Sequence, residues 1–269
     1  GSGLATASLP SSPGVPAAAT AATVIVPWND PEAVEAAFAA HEFAAVLAEP
    51  YPANMGLVPP EPGFLELLRR KATATGALLV FDEVISGFRV APGGAQELTG
   101  VLPDLTVLGK VVGGGLPAAA YGGSVELMER IAPAGDVYQA GTLSGNPLAV
   151  AAALASFELL DDDAYARLHA TTAALADGLR EAAGPRPVQV CHTTGLLTVF
   201  FSDAPVRDYA GAAACDLEAH AAWCRALLAR GVYPPPSQFE AWFPSLAHTA
   251  EHVARTLEAA AAAFAEIGG

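Results

Sequence analysis

Positive charge is scarce in this 269-residue chain: 13 Lys and Arg stand against 28 Asp and Glu, for a net charge of −15. With no basic cluster, such a surface repels a phosphate backbone, which argues against nucleic acid as a partner. Long apolar runs are missing too. Hydrophobic residues make up 52%, yet no uninterrupted stretch approaches the roughly 20 residues of a membrane span, so no membrane partner is expected. The opening "GSGLATASLPSSPGVP" has neither the positive charge nor the apolar core of a secretory signal. Cysteine is sparse as well: Cys191, Cys215 and Cys224 are odd in number and form no C-x-x-C pair. Reduced thiols and a cytoplasmic location follow, with no support for zinc or redox chemistry.

What is present alternates in character. Short apolar runs, "TVIV" at 23–26, "FAAVLAEP" at 43–50, "ALLVFDE" at 77–83 and "DLTVLG" at 104–109, are separated by amphipathic segments starting near Pro31 and Pro62. This pattern predicts an α/β fold with one parallel-type sheet and covering helices. A long alanine-rich helix is expected after "GNP" at 145–147. Beyond about residue 165 a helix through Leu179 leads to two β-like runs joined at "TTG", a helix around "CDLEAHAAWCRALLARG" and a last one from about Thr249. The expected division is therefore 1–165 and a smaller α+β domain, 166–269.

Three features carry chemistry. Of the 13 basic residues only Lys71 and Lys110 are lysines, and Lys110 sits among valines and glycines in "TVLGKVVGGG". There a partly desolvated ammonium would have its pKa lowered and its amine made nucleophilic. The strand "LLVFDE" ends in Asp82 and Glu83, at the carboxyl end where α/β sheets bind ligands. In "YQAGTLSGNP", Gly141, Thr142, Ser144 and Gly145 offer amides and hydroxyls before a helix, a suitable phosphate anchor. Taken singly, each has a plain alternative: a lysine reaching to solvent, an aspartate capping a helix or pairing with Arg89, an ordinary helix start.

Together, "FDEVISGFR", "PDLTVLGKVVGGGLP", "YGG" and "YQAGTLSGNPLA" resemble the class III, fold-type I aminotransferases that use pyridoxal 5′-phosphate. "SPGVP", "AGTLSGNP" and "PSQFEAWFPSLAHT" narrow the resemblance to members that exchange an amino group within one molecule. The resemblance implies that Lys110 bonds the cofactor and shuttles protons, and that Asp82 partners its ring nitrogen. Val84 would pack on the ring face, Asn54 would approach the ring hydroxyl, and Gly141 and Thr142 would reach the phosphate held in a neighbouring subunit, making a homodimer with shared sites. Ser2 and Glu240 match positions that meet the substrate, and the segment from Ser2 through "SPGVP" matches a mobile loop. Glu83 is assigned to local structure. The implied reaction turns glutamate 1-semialdehyde into 5-aminolevulinate, a tetrapyrrole precursor, through the pyridoxamine form of the cofactor.

The chain also departs from the family. Members carry roughly another third of their length before the residues that match "GSG", so the large domain is expected to be incomplete at its N-terminus, with an uncovered sheet edge and doubtful activity in isolation. Trp242 stands where glycine is usual, and Tyr51, Pro52 and Ala53 replace smaller or more flexible residues. Two alternatives therefore stay open: another class III aminotransferase using an external amino donor, and a non-catalytic chain that binds a partner subunit. "HTAEH" at 248–252 and "DDD" at 161–163 are expected to be helix boundaries, not metal sites.

Overall fold

The computed structural model describes residues 14–267. Contacts divide it into two compact units, neither of them a continuous stretch of chain.

The first unit comprises Pro31–Tyr51 and Pro62–Asp162. Its elements run α1 (Pro31–Ala40), β1 (Ala45–Ala48), α2 (Phe64–Thr75), β2 (Leu78–Glu83), α3 (Gly94–Thr99), β3 (Leu105–Leu108), β4 (Ala120–Gly123) and α4 (Pro147–Phe157). The sheet order is β1-β2-β3-β4. β1 and β3 both run parallel to β2, pairing Ala45 with Leu78 and Asp82 with Val107. β4 is antiparallel to β3, pairing Leu105 with Gly123. The sheet is therefore mixed, a correction to the parallel one expected. The cause is the connection: between β3 and β4 there is only a 3₁₀ turn at Lys110–Gly113, and without a crossover helix the chain must return antiparallel. "TVIV" at 23–26 also forms no strand, because no neighbour among the described residues pairs with it.

The helix α2 buries Phe64, Leu65, Leu67, Leu68 and Ala72, the stripe its 3.6-residue period dictates. It stops at Gly76, which adopts the left-handed conformation of a C-cap. Arg69 Nη1 donates to Asp104 Oδ2 at 2.8 Å, and that oxygen also accepts from Leu79 N at 2.6 Å. One carboxylate thus ties α2 to the start of β2 and β3. β2 alternates as a pleated strand should: Leu79, Phe81 and Glu83 are buried, Leu78, Val80 and Asp82 half-buried. The strand therefore has one buried and one half-open face.

The second unit contains the described residues through Asp30, Pro52–Glu61 and Asp163–Gly269 as far as they are described. Here α5 (Asp162–Ala183), the hairpin β5 (Gln189–Thr193) and β6 (Leu196–Phe200), α6 (Leu217–Ala229) and α7 (Ala250–Ile267) surround one core. Leu179, Leu197, Val199, Trp223, Leu227 and Phe264 fill it. Trp223 stacks on Phe264 at 4.9 Å and on Trp242 at 5.9 Å between ring centroids. Trp242 also pairs its backbone with Leu197, donating at 2.7 Å and accepting at 3.2 Å. The segment Pro52–Glu61 is held here by Leu57 N donating to Thr198 Oγ1 at 2.9 Å and by Met55 and Val58 packing on Phe200.

On α6, His220 and Cys224 face each other across one turn, with Sγ 3.6 Å from Nε2. Burial holds His220 down at about 4 and pushes the Cys224 thiol up to about 11. Both stay neutral near pH 7, so this is a packed pair and not an activated nucleophile.

Two outcomes follow for this unit. Leu179→Ala should lower its stability by about 2–5 kcal/mol in urea unfolding, since no exposure remains at that side chain and a cavity would be left. Because the folded pKa of His220 lies below its ordinary 6.5, its contribution is full above pH ~6.5 and is lost as pH falls towards ~4, where the unfolded chain takes the proton first. That loss is on the order of 3 kcal/mol, and His220→Phe should flatten it in urea titrations across the window. An unchanged slope would contradict the assignment.

Candidate active site

The parallel register sets the geometry. Asp82 lies opposite Val107, and three residues beyond Val107 the chain reaches Lys110. Both functional groups therefore sit at the carboxyl ends of adjacent parallel strands, the position at which open α/β sheets bind ligands.

Asp82 is half-buried, and its Oδ1 accepts from Val84 N at 3.1 Å. Val84 in turn reaches Gly109, where an added Cβ would lie 3.1 Å from Val84 Cγ1. That contact joins the end of β2 to the residue before the lysine. Lys110 has φ of +48°, a left-handed conformation that costs a non-glycine residue on the order of 1–3 kcal/mol and is found most often at functional sites. Where partial desolvation is expected from the sequence, Lys110 is exposed among the described residues.

The turn that carries Lys110 rests on α4. Gly114 has φ of +57°, and a Cβ there would lie 2.4 Å from the Ala152 carbonyl oxygen. Only glycine permits the turn to lie against the helix this closely. At its other end α4 is capped by Asn146, whose Oδ1 accepts from Leu148 N at 3.0 Å and Ala149 N at 3.2 Å, with Pro147 in the first turn. Gly141 and Thr142 occupy the exposed turn just before this cap, where Ser144 N donates to Gly141 O at 3.0 Å. One helix thus connects the lysine turn with the expected phosphate anchor.

Asn54 and Glu240 belong to the second unit and come together there. Gly56 N donates to Phe239 O at 2.9 Å, which lays the half-buried Asn54 segment beside the exposed Glu240 turn. Ser2 and most of the expected loop lie outside the described residues. Trp242, two positions beyond Glu240, is drawn into the stack on Trp223. At the "HTAEH" segment, His248 Nδ1 accepts from Ser245 N and His252 Nδ1 from Thr249 N. Among the described residues no three His, Cys, Asp or Glu side chains are grouped to hold a metal.

Glu83 is held by four hydrogen bonds. Only 1% of it is exposed. Its Oε2 accepts from Ser86 Oγ at 2.9 Å and Ala95 N at 2.6 Å, and its Oε1 from Gln96 N at 3.2 Å and Gln96 Nε2 at 3.1 Å. The local role expected of it is therefore specific, yet no sequence pattern points to partners 12 and 13 residues away.

Comparison with known proteins gives the family of the chain. Relatives include the glutamate-1-semialdehyde 2,1-aminomutases of Pelotomaculum thermopropionicum, 54% identical over 98% of this chain and 62% of that protein, and of Thermomicrobium roseum, 53% identical over 99% and 63%. The chain thus spans less than two thirds of the curated relatives it matches. Similar solved structures include an omega-transaminase from Sphaerobacter thermophilus, with TM-score 0.90, 33% identity and coverage of 97% of this chain and 61% of that one. Another is a glutamate-1-semialdehyde-aminomutase from Pseudomonas aeruginosa PAO1 in complex with PMP, with TM-score 0.82, 31% identity and coverage of 91% and 57%. The family profile described as aminotransferase class-III matches residues 2–264, and the chain belongs to that family.

Proposed function

We propose that this chain carries the lysine-bearing part of a pyridoxal 5′-phosphate-dependent aminomutase that converts glutamate 1-semialdehyde into 5-aminolevulinate for tetrapyrrole synthesis in the cytoplasm. The observation that carries this reading is the placement of Asp82 and Lys110 at the carboxyl ends of paired parallel strands. The residues present fit the cofactor: a carboxylate on the half-open face of β2, an exposed lysine, and a glycine at 109 that leaves Val84 against the backbone. When bound, the cofactor supplies an electron sink for negative charge beside the amine-bearing carbon.

In this reading Lys110 Nζ would hold the cofactor at rest and, once freed as an amine, would take up a proton from the carbon being deprotonated and give it back. A carboxylate oxygen of Asp82 holds the proton on the ring nitrogen, and Val84 supports the ring face. Asn54 meets the ring hydroxyl, Gly141 and Thr142 meet a phosphate, and Ser2 and Glu240 meet the substrate. The proposed domain boundary stays near residue 165, with 1–165 as part of the cofactor-binding domain and 166–269 as the small domain, although by contacts the described residues through Asp30 and Pro52–Glu61 group with the latter. The active assembly is a homodimer, a reading supported by the exposed apolar side chains around α4, Tyr138 at 83% and Leu148 at 72% among them. The substrate is supported by the likeness to glutamate-1-semialdehyde 2,1-aminomutases. A second reading, an aminotransferase taking its amine from an external donor, is favoured by the close likeness to the omega-transaminase and by Trp242 beside Glu240.

Incubation with pyridoxal 5′-phosphate followed by borohydride should place a stable adduct on Lys110, and Lys110→Arg should abolish it because a guanidinium cannot form the bond. An adduct shared equally with Lys71, or none, would contradict the cofactor assignment. In a protein extended to the full length of the relatives, glutamate 1-semialdehyde as sole substrate should give 5-aminolevulinate without added amine; a requirement for an external amine would establish the second reading instead.

A further inference from the structure

The carboxylate of Glu83 accepts hydrogen bonds on both oxygens, and two of the donors are backbone amides, Ala95 N on Oε2 and Gln96 N on Oε1. Neither amide can reverse its role. An amide side chain of the same size would therefore place an N–H against a backbone N–H in either orientation, so glutamine cannot replace glutamate here without loss. The fit is tight on the other side too. Gly94 has φ of +69°, and a Cβ on it would lie 2.3 Å from Glu83 Oε2. Gln96 Nε2 also donates to Thr106 Oγ1 at 3.2 Å, and Thr106 pairs with Phe81 across the β2–β3 ladder. One buried carboxylate thus gathers the end of β2, the start of α3 and the middle of β3.

Successive side chains of a strand point to opposite faces. Anchoring Glu83 on the buried face fixes the rotation of the strand end, and with it the two half-buried neighbours on the other face, Asp82 and Val84. Val84 is the residue that meets Gly109 before Lys110. We infer that Glu83 is a positioning residue: through its four hydrogen bonds it holds Asp82 and Val84 in register with the Lys110 turn, acting on the cofactor site without touching it. This rests on the reading of Asp82 and Lys110 given above.

The chain itself offers the assay, because its two lysines lie in the same unit and Lys71 pairs with Glu35 away from the strand ends. Wild type, Glu83→Gln and the destabilised control Leu179→Ala would each be treated in two ways, with folding followed by circular dichroism. Limiting acetic anhydride, without cofactor, reads the acetylation ratio of Lys110 to Lys71. Pyridoxal 5′-phosphate with borohydride reads the pyridoxyl ratio. Glu83→Gln should lower the pyridoxyl ratio roughly tenfold and shift the acetylation ratio by about twofold or more, while Leu179→Ala leaves both at the wild-type value. If Glu83→Gln does not fold, Gln96→Ala, which removes one donor and the link to Thr106, should move both ratios in the same direction by less. Wild-type ratios in the Glu83 or Gln96 variant, or equal shifts in Leu179→Ala, would overturn the inference. Absence of pyridoxyl label on Lys110 in wild type would overturn the cofactor reading alone. The acetylation ratio then decides on Glu83: a shift supports the positioning role and no shift overturns it.

Discussion

A carboxylate withdrawn from water is tolerated only where donors replace the water it has lost. Glu83 meets that condition with four donors drawn from three places in the chain, Ser86, Ala95 and Gln96. Much of the first unit's geometry follows from this. The loop after β2 must fold back to present Ser86, α3 must begin where Ala95 and Gln96 can point their amides at the acid, and residue 94 must lack a side chain. Glu83 is held on the buried face, and its neighbour Asp82 is left on the face that ligands can reach.

The second constraint is the parallel pairing of β2 with β3. Parallel neighbours end on the same side, so an acid ending one strand and a lysine following the other are brought together by backbone hydrogen bonds alone. Lys110 then pays a conformational penalty in its left-handed backbone, supported below by the close approach of Gly114 to α4. The second unit contributes in another manner. Its hairpin core captures Pro52–Glu61 through Thr198 and Phe200, and in doing so brings Asn54 beside the Glu240 turn.

Local patterns were legible and distant partnerships were not. The apolar runs at 43–50, 77–83 and 104–109 became β1, β2 and β3, and the helix starts at Pro31 and after "GNP" stand where capping and proline signals put them. The run at 23–26 has strand composition but no pairing neighbour among the described residues, and composition carries no information about partners. β4, "AYGG", escaped notice for the opposite reason: two glycines make a poor strand on propensity, and pairing with β3 overrides them. The capture of Pro52–Glu61 by residues about 140 positions away has no local signature. At the site, motif resemblance singled out Lys110 and Asp82, while the partners of Glu83 emerged only from the folded arrangement. Lys110 is exposed among the described residues, since flanking valines describe the chain beside a residue and not what lies above it.

In the proposed function Asp82, held in place by the strand end, keeps a proton on the ring nitrogen of a cofactor attached to Lys110. The most direct measurement is the nitrogen chemical shift of ¹⁵N-labelled pyridoxal 5′-phosphate bound to the chain, compared with Asp82→Asn. The shift of a protonated ring nitrogen is expected in the first and that of an unprotonated one in the second. An unprotonated shift in both proteins, or the same protonated shift in both, would contradict the account.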